Sequence, residues 1–409
     1  LREDKNPKDV TREKEKHTED VVENKNQKTK TSQSPVDKSQ INASPGRGSR
    51  AGDLEKSKSG KEEITANDKL QTDKLFKPST NKERKTLLNP KDKSQVRNID
   101  GHGIKFNNLT KIYYPAVKRG KAVTKRDVIN YYYQVSPYML LYMKDRPQTL
   151  IRYPHGIEGE SFYQKDVTGK VPDWIKKFPY SSEAGGNRNF LVCTNEASLL
   201  YIASIGGLEM HPWSSRIQKP DNPDWCIIDL DPDKNPFDQV IKAAQITKEV
   251  LDAIGVPSYC KTSGSTGLHI YIPLGAKYNY EISKEFGRVV VKLVNAELPN
   301  FTSIERYTEK RKGKLYLDFL QNRPQATLAA PYSLRPKPGA PVSMPLHWEE
   351  VKKGLKIEDF TIFNAVSRVN KQGDIFTSVL SKGINLKQTL KKLETVFGKQ
   401  EMHESLRKL

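Results

Sequence analysis

All but one of the 35 aromatic residues of this 409-residue chain lie beyond residue 95, Phe76 being the exception. The first 95 residues are mostly Lys, Glu, Asp, Asn, Ser, Thr and Gln. So little apolar surface cannot offset an ordering cost of roughly 1–2 kcal/mol per residue. Residues 1–95 are therefore expected to form a disordered charged linker, with a basic arm touching DNA as the alternative. A folded domain is expected over residues 96–395, and residues 396–409 read as a basic C-terminal tail.

The formal charge is +20, and residues 1–95 carry 23 basic and 17 acidic side chains, so +14 falls on the aromatic-rich part. A folded domain that basic favours a polyanion such as nucleic acid, against the plainer alternative of a soluble basic surface. The three cysteines, Cys193, Cys226 and Cys260, are far apart in apolar contexts and have no CxxC spacing. That pattern speaks against a zinc site or a disulfide framework and for buried thiols in a reducing compartment. With no apolar run of membrane-spanning length and no signal-peptide shape at the start, a cytoplasmic, nucleoid-associated location is expected.

Residues 226–233 read CIIDLDPD. Alternation along a strand sends Asp229 and Asp231 to one face and Ile228 and Leu230 to the other, and Pro232 stops the strand. The segment LYLDFLQN, residues 315–322, likewise separates Asp318 from Leu317 and Phe319. Three carboxylates can thus meet on one sheet face. Such acids repel one another, and one takes up a proton unless a cation holds them; oxygen ligands on a rigid sheet suit Mg²⁺ or Mn²⁺. Exposed acids on a surface strand are the competing explanation.

Around these strands the pattern is α/β, with mixed sheets flanked by helices. Thr124 opens a helix expected to break near Pro137, and Asn195 caps another that ends at glycines before a strand carrying His211. Residues 237–255 have apolar side chains near the 3.6 period and end in Gly255. KTSGSTGLHIYIP, residues 261–273, reads as two strands around a Gly/Ser turn. Its backbone N–H groups can approach a phosphate, with hydroxyls from Ser263 and Ser265 and His269 at the next strand, although an ordinary hairpin has the same appearance. Arg335, in a proline-bounded turn, suits bidentate phosphate contact or a plain surface loop.

Taken in order, NLTKIYYP, SFYQK, EMHPWSSR, DWCIIDLDPD, KTSGSTGLHIYIPL, YLDFLQNRPQATLAAPYSLRP and PVSMPLHWEE resemble the polymerase domain of bacterial DNA ligase D, in the archaeo-eukaryotic primase superfamily. The resemblance covers about residues 96–395 and implies an archaeo-eukaryotic primase-like fold with an RRM-like catalytic part. It implies a template-dependent nucleotidyltransferase that extends primer 3′ ends with NTPs or dNTPs at gaps and broken ends in bacterial non-homologous end joining. Two metal ions, best Mn²⁺, would serve it, and ribonucleotides would be preferred. By motif, Asp229 and Asp231 would bind both ions and Asp318 the one facing the primer 3′-hydroxyl.

The same resemblance implies that His211, Ser263, His269 and Arg335 hold the triphosphate, that Gln321 lies near the sugar, and that Phe162 and Tyr163 stack against nucleotide or template base, where a core role is the alternative. Lys111 and Lys125 match lysines gripping a DNA 5′-phosphate, and Arg311 matches an arginine tied to ordering of the site. Ile151 stands where some relatives have a lysine, with Arg152 the candidate to replace it, and Thr266 also stands where relatives often have lysine. The implied partners are DNA ends, gaps and primer-templates with a 5′-phosphate, NTPs or dNTPs, bacterial Ku and a covalently linked upstream ligase domain. Residues 1–5, LREDK, resemble the end of that ligase domain, so the chain is expected to be a piece of a longer protein. A metal-dependent nuclease using the same acids, or a non-catalytic module bridging DNA ends, are the other classes compatible with these residues.

Overall fold

A computed structural model of the chain describes residues 84–117, 120–182 and 186–409. Most of the expected linker, including residues 1–5, lies outside them. Residues 84–180 and 188–409 belong to one compact unit. A first hairpin pairs β1 (Gln95–Ile99) with β2 (His102–Phe106), and a second pairs β3 (Ile112–Tyr114) with β4 (Val123–Thr124). Helix α1 (Lys125–Met143) follows, with Thr124 and Asp127 forming a reciprocal cap, as a Thr with an acid three residues on favours.

Next come β5 (Arg146–Arg152), β6 (Phe162–Gln164), β7 (Lys177–Ser182) and β8 (Gly186–Cys193), then α2 (Glu196–Ser204) and β9 (Gly207–Pro212). These strands build one sheet, ordered β6-β5-β8-β7 with β9 on β5. The chain then runs through β10 (Trp225–Asp231), α3 (Phe237–Ala253), β11 (Tyr259–Thr262), β12 (Leu268–Pro273), α4 (Tyr280–Glu297), β13 (Thr302–Ser303), α5 (Thr308–Arg311), β14 (Leu315–Asp318) and β15 (Pro345–Leu346). Their strands form a second sheet, ordered β13-β14-β10-β12-β11-β15, antiparallel except for β13 with β14. The expected mixed α/β architecture is the one found.

Helices α3 and α4 cover one face of β10. Cys226, Ile228 and Leu230 are fully buried, and the Cys226 thiol reaches the Ser283 carbonyl of α4 at 3.4 Å. Strand alternation leaves Asp229 and Asp231 on the other face, away from the helices. All three cysteines are buried free thiols. No helix among the described residues is long and apolar enough to cross a membrane.

Three boundaries differ from expectation. Helix α1 does not break at Pro137 but runs through it to Met143. Proline deprives the carbonyl four residues back of its donor, here that of Tyr133, and Arg84 Nη1 and Ser136 Oγ both donate to that oxygen at 3.0 Å. Arg84 also pairs with Glu196 and lies over the Tyr133 ring, while Leu88 is buried and its N–H donates to Asn130. The packed unit thus takes in residues from Arg84 onward, ahead of the expected start at Val96. At the other end α6 (Ala365–Gln372), α7 (Leu386–Phe397) and α8 (Glu404–Arg407) close the chain. Met402 and Leu406 are buried and Lys292 pairs with Glu401 at 2.6 Å, so residues 396–409 are not a free basic tail.

Arg84→Ala should therefore cost stability well inside the domain, by about 1–3 kcal/mol, because a partly buried helix carbonyl loses its charged donor. Urea unfolding of the full chain measures this; a midpoint equal to wild type would show that the segment before β1 contributes nothing.

Candidate active site

The site begins with the register of β10. On one side Asp229 lies directly opposite Asp318 of β14, and on the other it lies opposite His269 of β12. His269 in turn lies opposite Lys261 of β11. Directly opposed residues share a face, so Asp318, Asp229, His269 and Lys261 form one row across four strands, with Asp231 two residues on from Asp229. The three predicted acids converge.

Burial, and then the charges of Asp318 and Asp231, push the Asp229 carboxyl well above the ordinary range. Burial also raises Asp231, helped by Asp318 and Asp233 and opposed by the nearby Arg311 guanidinium, and it raises Asp318. Asp318 is held by the Leu320 N–H at 2.7 Å and the Gln321 amide at 2.8 Å. Gln321 thus contacts an acid of the site. Asn322 beside it caps the paired stretch, donating to the Ile227 carbonyl at 2.7 Å and accepting from the Ile227 N–H at 2.8 Å. Among the described residues no three His, Cys, Asp or Glu side chains are drawn together tightly enough to hold a metal ion as they stand. The donor set nevertheless suits one: three carboxylates on one face, each made harder to ionise, are what a divalent cation would relieve.

Arg311 lies with its guanidinium 3.8 Å over the ring of Tyr316, the residue opposite Asp231. It also donates to the carbonyls of Glu305 and Arg306. Together with Lys310, Lys312 and Lys314 it borders a basin of about 650 Å³.

Beyond His269 the glycine turn packs directly on β10. A methyl group on Gly267 would stand 2.0 Å from the Leu230 carbonyl oxygen, and Gly264 has φ +70° with the Arg335 side chain against it. Ser263 Oγ accepts from the N–H groups of Ser265, Thr266 and Gly267 at 3.0–3.1 Å. Its oxygen shapes the turn, and among the described residues the Ser265 hydroxyl has no hydrogen-bond partner. Arg335 donates to the Ser263 carbonyl at 2.5 Å and, through Nε, to Glu209 at 2.7 Å.

Glu209, which the sequence did not single out, joins the two sheets' contributions. It accepts from Arg335, lies 3.1 Å from His211 Nε2 and accepts the Tyr153 hydroxyl at 3.2 Å. Burial pushes its carboxyl up, but the bond and charge of His211 and the charge of Arg335 more than compensate and hold it below the ordinary range. The turn carrying Arg335 is stapled to β9: Ser333 Oγ accepts the Met210 N–H at 2.8 Å, and Tyr132 of α1 bonds both the Leu208 carbonyl and the Leu334 N–H.

The sheet of β5, β6 and β9 sorts the remaining candidates by face. Ile151 lies opposite both Glu209 and Tyr163, and Thr149 opposite His211, so these share the site-facing side. Arg152 and its opposite Phe162 point the other way, with the guanidinium 5.1 Å from the Phe162 ring and bonded to the Ile205 carbonyl and Gln164. Arg152 therefore does not stand in for the missing lysine at Ile151, and the two aromatics do not form one stacking pair. Tyr163, 70% exposed, is the one on the side of Glu209.

Lys111 and Lys125 come together instead with Arg152. Lys125 is the first residue of α1, where the helix dipole already disfavours a cation, and its ammonium has no acceptor among the described residues. Burial, then the charges of Lys111 and Arg152, lower it to about 8. It borders a cavity of about 280 Å³ whose walls include Lys105, Trp174 and Tyr201. Lys111 donates to the Pro154 carbonyl at 2.9 Å. A buried ammonium without an acceptor, set beside two further cations, is an arrangement that suits an anion.

The family model described as the LigD primase-polymerase domain matches residues 124–376. The bifunctional non-homologous end joining protein LigD of Bacillus subtilis is 36% identical over 272 residues, which are 66% of this chain and 43% of that protein. The multifunctional non-homologous end joining protein LigD of Pseudomonas aeruginosa is 28% identical over 251 residues, 61% of this chain and 29% of that protein. The chain thus spans less than half the length of these relatives. Among solved structures, the polymerase domain of Mycobacterium tuberculosis ligase D in complex with DNA superposes with a TM-score of 0.63 at 25% identity, over 69% of this chain and 99% of that one.

Because the folded pKa of Lys125, about 8, lies below its ordinary 10.5, the unfolded chain holds this proton between those values when the folded one does not. Stability contributed through this group therefore rises with pH across that window. Lys125→Met should unfold at higher temperature than wild type at pH 7, and the difference should shrink as pH rises from 8 to 10. A constant difference between the two proteins would remove the buried-cation account.

Proposed function

Since the chain belongs to the family of the LigD primase-polymerase domain, we propose that it is a template-dependent nucleotidyltransferase that extends primer 3′ ends with NTPs or dNTPs. Its substrates would be gaps and broken DNA ends in bacterial non-homologous end joining, and its partners an upstream ligase domain on the same polypeptide and bacterial Ku. The observation that carries this reading is the register of Asp229 opposite Asp318, with Asp231 on the same face and His269 on the other flank.

Asp229, Asp231 and Asp318 would hold divalent cations, Mn²⁺ or Mg²⁺. Bound there, two such ions supply activation of the attacking hydroxyl and charge stabilisation for the departing pyrophosphate. The chain's own groups do the remaining work. The triphosphate would be met by the Arg335 guanidinium and the Ser265 hydroxyl, on a turn whose N–H groups are held by Ser263 Oγ, and Glu209 orients Arg335 and His211. Gln321 sets the Asp318 carboxylate and borders the sugar. Tyr163 offers an exposed ring to a base, a contact tolerant of base identity. Lys111 and Lys125 take the 5′-phosphate across a gap, and the basic basin by Arg311 follows the nucleic-acid backbone.

A 5′-labelled primer-template incubated with NTPs and Mn²⁺ should be lengthened by the wild-type protein. Asp318→Ala should slow extension at least about a hundredfold, the loss of several kcal/mol of transition-state stabilisation. Shortened labelled products would instead mark a nuclease, and an unchanged primer a non-catalytic module.

A further inference from the structure

We propose that Lys261 is a positioning residue that holds His269 as its Nε2–H tautomer, with that N–H directed into the space beside Asp229. The role assigned to that space, a triphosphate site, rests on the function proposed above.

Lys261 is completely buried, and among the described residues no carboxylate pairs with it. Its Nζ lies 2.8 Å from His269 Nδ1 and 2.6 Å from Ser343 Oγ. Ser343 gives its own hydroxyl proton to the Thr262 carbonyl at 2.8 Å, which leaves its oxygen to accept from the lysine. On the far edge of the imidazole, Nε2 stands 3.4 Å from Asp229 Oδ1. If His269 carried its proton on Nδ1, the Nε2 lone pair would face a carboxylate oxygen and Nδ1–H would face an amine already engaged with Ser343. Both contacts are relieved in the other tautomer. An ammonium has no lone pair and so bonds only a bare Nδ1, while for a neutral amine, whose lone pair could accept Nδ1–H, the Asp229 oxygen facing Nε2 decides the tautomer.

Which nitrogen of a histidine carries the proton is set by the bond its other nitrogen makes. Here that bond comes from a residue one strand further from the acids, so Lys261 acts on the site only through His269. A polar side chain at such a buried place is costly unless fully bonded, and its two partners are the ring and the hydroxyl that lock it.

Histidine labelled with ¹⁵N in the full chain, followed by long-range ¹H–¹⁵N correlation, reads the tautomer directly, and the His269 signals are those absent from His269→Gln protein. Wild type should show Nε2 protonated and Nδ1 bare. Lys261→Met, similar in length but without a donor, should move His269 toward a mixture of tautomers. It should raise the nucleotide KM about tenfold, the loss of one hydrogen bond to a charged group, with kcat changed less than about twofold. Ser343→Ala, which frees the lysine without removing it, should shift the tautomer the same way and serves if the methionine variant does not fold. A wild-type Nδ1–H form, or unchanged populations in the variants, overturns the assignment. Wild-type protein with the expected tautomer but no primer extension overturns the polymerase reading and leaves Lys261 in its role.

Discussion

Four ionisable side chains in one row across a buried sheet are the constraint on which the rest of the structure turns. Antiparallel pairing of β10 with β14 and β12 puts Asp318, Asp229 and His269 side by side, and β11 adds Lys261. Burial, and then like charges so placed, cost the fold stability by raising the carboxyls of Asp229 and Asp231. A protein keeps such an arrangement when something bound offsets it, and for clustered carboxylates that is a cation.

The sheet of β5–β9 and the turn stapled to it supply the opposing charge without neutralising the acids. Arg335 bonds Glu209 rather than Asp229, Asp231 or Asp318, and the tyrosines of α1 tie its turn to β9: Tyr131 donates to the Tyr332 carbonyl at 2.7 Å while Tyr132 spans to Leu208. Guanidinium, imidazole and glycine turn are therefore set by buried bonds before any ligand arrives, which is the preorganisation that phosphoryl transfer relies on.

What the sequence revealed was what local pattern controls. Alternation in CIIDLDP placed Asp229 and Asp231 on one face, the glycines of SGSTG marked the turn, and Gly267 proves to be required by the Leu230 carbonyl beside it. What it hid depends on contacts distant in the chain. Pro137 reads as a helix breaker because nothing near it announces that Arg84, some fifty residues earlier, satisfies the Tyr133 carbonyl. Glu209 looks like any strand acid until His211 and Arg335 are seen on it. Arg152 and Phe162 were assigned from neighbouring motif positions, yet a one-residue step along a strand reverses the face. The same alternation in TLIRYP separates Ile151 from Arg152. Met402 and Leu406 are buried although the stretch around them is charged and offers only these two apolar anchors before the last residue.

The central claim is that the row of carboxylates exists to hold divalent cations, and the electron paramagnetic resonance signal of free Mn²⁺ tests it without any turnover. Titrated with the ion in the presence of a triphosphate, wild-type protein should remove Mn²⁺ from solution. Protein with Asp229→Asn and Asp318→Asn, which keeps shape and side-chain volume, should not, and should unfold at a higher temperature because the repulsion is gone. Equal Mn²⁺ uptake by both proteins, or none by the wild type, would contradict it.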